Sequence, residues 1–368
     1  MNFQVVSTDN HIVEPRELFV TRMPKEYRDR APRVLRGADG GDGWSWDGTP
    51  PKRTFGLEAV AGRTVQLSGY KWEEIIPGNY DGAAHLADMR SDGIDASVLF
   101  PTVALDVYTN PDDAFSLAVL QTYNDWLLED FVAPDPKQLI GLPALPVNHG
   151  MAVCVAELER CIAKGAKAFF IPAFPRVSYI EAHYDPLWAA AAEAGTPLCL
   201  HRTFGGVDPM GGFRFNIPGV NVAGTVQRFF SGVYPLTDLI YTGVFARHPK
   251  LKIVDAEVNF GWVPFWKQTM DQMYEKQKGW ANIPLDVLPS TFLGKNVFVT
   301  VLDDYVGFDQ VPSDPQLADM AMFSLDYPHS VCLWPNSAKH IEQLTKNIDD
   351  VAKQKILAGN AVRVFGLN

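Results

Sequence analysis

Cysteine is scarce in this chain: 4 in 368 residues, at Cys154, Cys161, Cys199 and Cys332, none in a Cys-x-x-Cys pair. Cys154 and Cys161 lie two helical turns apart on a predicted helix, roughly 10 Å, too far for a disulfide. Buried, reduced thiols are the expectation. Positive charge is also short, with 32 Lys and Arg against 43 Asp and Glu and a net charge of −11. No basic run occurs, which argues against nucleic acid as a partner. No apolar run approaches the length of a membrane span, and the first residues carry no charged-then-apolar signal pattern. The expected setting is therefore the cytoplasm, with no membrane partner.

What is present is a pattern of alternation. The apolar run Phe3-Gln4-Val5-Val6 predicts a short first strand leading into Ser7-Thr8-Asp9-Asn10-His11. Residues 14–82 then read as irregular, rich in Pro, Gly and Trp, with room for a small hairpin. They are expected to be an insertion covering one end of a single domain spanning residues 1–368. Further strands are predicted near residues 97, 140, 168, 198, 253, 298 and 322. Helices are predicted between them, including 112–132, 150–164, 185–194, about 223–247 and 262–277. Two closing helices follow near 337–346 and 349–359. Eight strands alternating with helices predict an α/β fold, a (β/α)8 TIM barrel with an irregular insertion after the first strand and helices at the C-terminus.

In such a barrel the chemistry sits at the C-terminal tips of the strands. Asp9 and His11 stand two residues apart at the first tip, so they face the same side. His201 follows the fifth strand, Glu257 the sixth, and Asp326 the eighth, with His329 just beyond. Each alone reads as an ordinary loop residue. Together, two imidazoles and two or more carboxylates suit a divalent ion, zinc foremost, with manganese or iron as alternatives.

Several stretches carry a family resemblance. They are Asp9-Asn10-His11-Ile12-Val13-Glu14-Pro15, Leu99-Phe100-Pro101-Thr102, Tyr123-Asn124-Asp125-Trp126-Leu127 and Tyr184-Asp185-Pro186-Leu187-Trp188. His201, His248-Pro249-Lys250-Leu251-Lys252-Ile253, Gly261-Trp262-Val263-Pro264, Ser324-Leu325-Asp326-Tyr327-Pro328-His329 and Gly359-Asn360-Ala361 complete the set. On these the chain resembles the amidohydrolase-related family of metal-dependent barrels, which includes aminocarboxymuconate-semialdehyde decarboxylase. The resemblance implies metal ligands at Asp9, His11, His201 and Asp326. It also implies a histidine at the sixth tip in the decarboxylases, where this chain has Glu257.

The leading expectation is a hydrolase of a small, carboxylated or aromatic substrate, with a metal-activated water and Asp326 as general base. Glu257 would orient substrate or act as a second base. A non-oxidative decarboxylase is the alternative, with His329 or Asp326 delivering the proton. A third reading gives a second metal to Glu257 and Glu14 beside His201, as in dinuclear iron or manganese oxygenases or their partner subunits. A fourth is a non-enzymatic barrel with a structural metal. Arg202 and Trp262 are candidate substrate contacts, and Phe204 and Tyr305 could join Trp262 in an aromatic pocket. The aromatic stretch Phe229, Phe230, Tyr234, Tyr241 and Phe245 either packs on the barrel or forms a face for a homodimer, and a hetero-oligomer remains open.

Overall fold

The computed structural model describes residues 3–201 and 219–367. The described residues form ten strands: β1 (Val6–His11), β2 (Arg33–Arg36), β3 (Asp42–Ser45), β4 (Ala96–Phe100), β5 (Leu139–Gly141), β6 (Phe169–Phe170), β7 (Leu198–His201), β8 (Ile253–Ala256), β9 (Val297–Val301) and β10 (Ala321–Phe323). All but β2 and β3 pair in parallel, in the orders β1-β4-β5 and β10-β9-β8-β7-β6. Hydrogen bonds link the two sheets at both seams. Between β5 and β6, Ala144 bridges Phe170, and Leu145 N donates to Phe170 O at 3.0 Å. Between β10 and β1, Thr8 Oγ1 donates to Phe323 O at 2.9 Å, and Asp326 N donates to Asp9 O at 2.8 Å. The eight strands thus follow one another in chain order.

Most are continuous apolar runs buried on both faces, as parallel strands covered by helices must be; Val297-Phe298-Val299-Thr300-Val301 is fully buried. β1 differs. It is Val-Ser-Thr-Asp-Asn-His, wholly buried, and begins where the sequence expectation placed the end of the strand. Asp9 and His11 therefore lie within it. A buried polar strand is tolerable only if its side chains are bonded. Here Ser7 Oγ donates to Asn10 Oδ1 at 2.8 Å and Asn10 Nδ2 to Ser97 Oγ at 2.9 Å.

The connecting helices follow their caps. Asp81 and Asp112 accept from Ala84 N and Phe115 N at the starts of Gly82–Ser91 and Asp113–Trp126. Gly195, at φ 68°, ends Asp185–Ala194 in the left-handed conformation that glycine adopts without strain. The helix expected over 112–132 changes at Leu127 to a wider turn. The one expected over 223–247 is broken into Val220–Arg228, Val233–Tyr241 and Val244–Arg247. Of its aromatics, Phe245 is buried in the core, whereas Phe230 and Tyr234 are exposed. No helix among the described residues is long and apolar enough to cross a membrane.

Between β1 and Gly82–Ser91 the chain forms the antiparallel pair β2–β3 and a small second core of Val13, Phe55, Ala59, Val60, Tyr70, Trp72 and Ile75. This segment is tied to the loop after β10. Val60 N and Ala61 N donate to Pro328 O at 3.2 and 3.0 Å, and Ser330 N donates to Leu57 O at 2.8 Å.

Candidate metal centre

Alternation along β1 sends Asp9 and His11 to the same side, where the last residue of β7, His201, meets them. The Nε2 atoms of His11 and His201 stand 2.9 Å apart. Asp9 Oδ1 lies 3.6 Å from each. Asp326 Oδ1 is 3.7 Å from His11 Nε2, and Glu257 Oε2 is 3.6 Å from His201 Nε2. All five residues are at most 3% exposed.

The donor set fits a divalent ion on several grounds. His11 Nδ1 stands 3.3 Å from Pro101 O; a carbonyl only accepts, so Nδ1 carries the hydrogen and Nε2 presents a lone pair. Two ring nitrogens 2.9 Å apart need a proton or a cation between them. Ligands about 2.1 Å from a common ion stand roughly 3.0–3.4 Å from one another, close to the separations observed. The atoms of Asp9, His11 and His201 that could ligate lie within 4.8 Å of one another, as do those of His11, Asp326 and His329. Three carboxylates in one buried cluster also concentrate negative charge, which a dication offsets.

Backbone strain accompanies the two loops that deliver carboxylates. Glu257, Asn259 and Asp326 adopt φ of 59°, 56° and 55°, rarely taken by residues other than glycine. Each is held from neighbouring strands. Glu257 N donates to Thr300 Oγ1 at 2.8 Å, Asn259 Oδ1 accepts from Leu302 N at 3.0 Å, and Tyr327 N donates to Asn10 Oδ1 at 3.2 Å. Asp304 secures the same loop by accepting from Phe260 N at 2.8 Å and Gly261 N at 2.5 Å.

His329 completes the cluster. Its Nδ1 stands 2.7 Å from Asp326 Oδ1, and its ring stacks on that of His11 with centroids 4.0 Å apart. It is 19% exposed, the most accessible of the group. Glu14, a candidate second-metal ligand, is buried and accepts from Thr102 N and Ala104 N at 3.3 and 3.0 Å. Trp262 is partly buried, with its indole N–H given to Val258 O at 2.8 Å and its ring against Trp266. Tyr305 is 45% exposed at the start of a short helix. Arg202 and Phe204 lie outside the described residues. Sequence reasoning singled out neither Thr300, Asn259 nor Asp304. The one usable signal was Thr300, a lone polar residue inside an apolar strand.

The family model for amidohydrolases matches residues 74–367, so the chain belongs to the amidohydrolase family. That family is metal-dependent, and its members, like the solved structures similar to this one, are TIM-barrel proteins. An amidohydrolase from Mycobacterium avium subsp. paratuberculosis K-10 superposes with a TM-score of 0.78 at 22% identity, over 100% of both chains. The 5-carboxyvanillate decarboxylase of Sphingomonas paucimobilis does so with 0.70 at 18%, again over 100% of both. A dihydroxybenzoic acid decarboxylase from Polaromonas sp. JS666, solved with manganese and the inhibitor 2-nitroresorcinol, gives 0.66 at 19%, over 100% of this chain and 98% of its own. At these identities the likeness is one of fold.

Proposed function

We propose that this protein is a metal-dependent decarboxylase of a small hydroxylated aromatic or unsaturated acid. Its barrel is read as closed, with residues 14–82 as an insertion over the mouth. The observation that carries the reading is the His329–Asp326 pair, 2.7 Å apart beside the buried ligand cluster. It puts a proton-holding imidazole where solvent can recharge it. The likeness to two aromatic-acid decarboxylases supports this reading over the hydrolase expected from the sequence.

Asp9, His11, His201 and Asp326 would hold one divalent ion. Its oxygen-rich surroundings and the manganese in a similar structure favour manganese before zinc. Such an ion supplies Lewis acidity toward a carboxylate or phenol oxygen of the substrate. The protein's own groups do the rest. His329 holds a proton at Nδ1 against Asp326, and the pair delivers it to the ring carbon bearing the carboxylate. The carbon–carbon bond then breaks, its electron pair restores the ring, and carbon dioxide leaves. The pair is reprotonated through the accessible edge of His329. Glu257 stands beside His201, where it orients the substrate or, with a second ion, becomes a ligand. No oxidant is consumed.

Hydrolysis is the second reading. The observation favouring it is Asp326 Oδ1, 3.7 Å from His11 Nε2 and able to accept a proton from a water bound in the cluster. Both readings are tested on manganese-loaded protein with a panel of hydroxybenzoic and related acids, lactones and amides. Carbon dioxide release from an aromatic or unsaturated acid without oxygen or a redox cofactor is expected. Lactone or amide cleavage with no carbon dioxide from any acid would replace decarboxylation by hydrolysis.

A further inference from the structure

Thr300 is the fourth residue of β9 and the only polar one in Val-Phe-Val-Thr-Val. It is fully buried. A threonine in such a place most simply bonds a backbone carbonyl nearby. This one instead reaches two other parts of the chain. Its Oγ1 accepts from Glu257 N at 2.8 Å and donates to Asp9 Oδ2 at 3.4 Å. The direction of both bonds is forced. A backbone N–H can only donate, so the hydroxyl must accept there; an ionised carboxylate can only accept, so the hydroxyl hydrogen goes to Asp9. The second bond is long, and its worth lies more in direction than in energy.

With Oδ2 turned to Thr300, Oδ1 of Asp9 faces the two imidazoles, 3.6 Å from each Nε2. The other bond secures the left-handed turn at Glu257. The Thr300 carbonyl adds a third tie, accepting from Asn259 N at 3.2 Å.

We infer that Thr300 is the positioning residue of the metal centre. One hydroxyl aims the Asp9 carboxylate at the ion and locks the Glu257 turn beside it, so the two carboxylate-bearing elements move as a unit. The inference rests on the metal reading above, though not on the reaction assigned to it.

The test uses metal-depleted full-length protein, titrated with Mn²⁺ and followed by calorimetry and by the electron paramagnetic resonance spectrum of the bound ion. Thr300→Val keeps the shape and removes the hydroxyl. It is expected to weaken Mn²⁺ binding about 10- to 100-fold, as loss of a bond to a ligand typically does, and to change the spectrum. Thr300→Ser restores the hydroxyl and is expected to stay within about threefold of wild type. Thermal unfolding without metal reports whether each variant folds; should Thr300→Val not fold, Thr300→Ala carries the same expectation. Wild-type affinity and spectrum in a folded variant lacking the hydroxyl would overturn the inference. So would equal losses in the Val and Ser variants, which would point to packing of the methyl group. If wild type itself binds neither Mn²⁺ nor Zn²⁺, the metal reading falls first and the inference with it.

Discussion

The Nε2 atoms of His11 and His201 lie 2.9 Å apart, although 190 residues separate them in the chain. One ends β1 and the other ends β7, in different sheets. Their approach depends on the seams that link those sheets, so the centre reports on how the two sheets meet. Asp326 enters the same point from beyond β10, its backbone bonded to Asp9 O.

Asp326 is both a proposed ligand and the partner of His329. Asp326→Asn retains the shape but lowers the charge and the proton affinity. Turnover is expected to fall by at least about 100-fold, with the thermal unfolding midpoint of the metal-free protein little changed. Full activity in this variant would remove Asp326 from the reaction.

His329 separates the role of proton donor from that of ligand. For His329→Gln the expectation is one metal ion still bound per chain and carbon dioxide release reduced roughly 100-fold or more. Raising the pH should not restore it. Metal loss in proportion to activity would instead make His329 a ligand, in keeping with its place beside His11 and Asp326.

His85 gives a pH dependence independent of catalysis. Burial pulls its imidazole from the ordinary 6.5 down to about 4, against an opposing hydrogen bond to Gly78 O. The folded protein thus binds fewer protons at this site than the unfolded chain. The stability contribution is complete above pH 6.5 and is lost as pH falls toward 4, by about 3 kcal/mol over the window. Denaturant unfolding between pH 7.5 and 4 should show this loss in wild type and a smaller one in His85→Gln. Equal slopes for the two proteins would assign the acid sensitivity to other groups.

Much of this was legible in the sequence because parallel strands covered by helices are apolar throughout. The runs near residues 140, 198, 253 and 298 announced themselves in that way. β1 did not. Its interior is Ser7, Thr8, Asp9 and Asn10, and only the bonds to β4, β10 and the loop beyond make that composition tolerable. The expectation therefore stopped the strand at its apolar end. Asp9, His11, His201, Glu257 and Asp326 could be picked out because each sits at or just past a predicted strand end. Asn259 and Asp304 could not, since their roles rest on which loops the fold brings beside them, and Thr300 stood out only as a lone polar residue in an apolar strand. The turns at Glu257, Asn259 and Asp326 gave no signal either, because no glycine marks them.

The central claim is the metal centre, and its most direct test is metal content. Protein purified without chelators, supplied with Mn²⁺ and then dialysed, should retain about one divalent ion per chain by elemental analysis. His201→Ala, folded, should retain little. A second equivalent, lost with Glu257→Gln, would extend the centre to two ions. Folded wild-type protein that retains no divalent metal, or a folded His201→Ala variant that retains as much as wild type, would contradict the account.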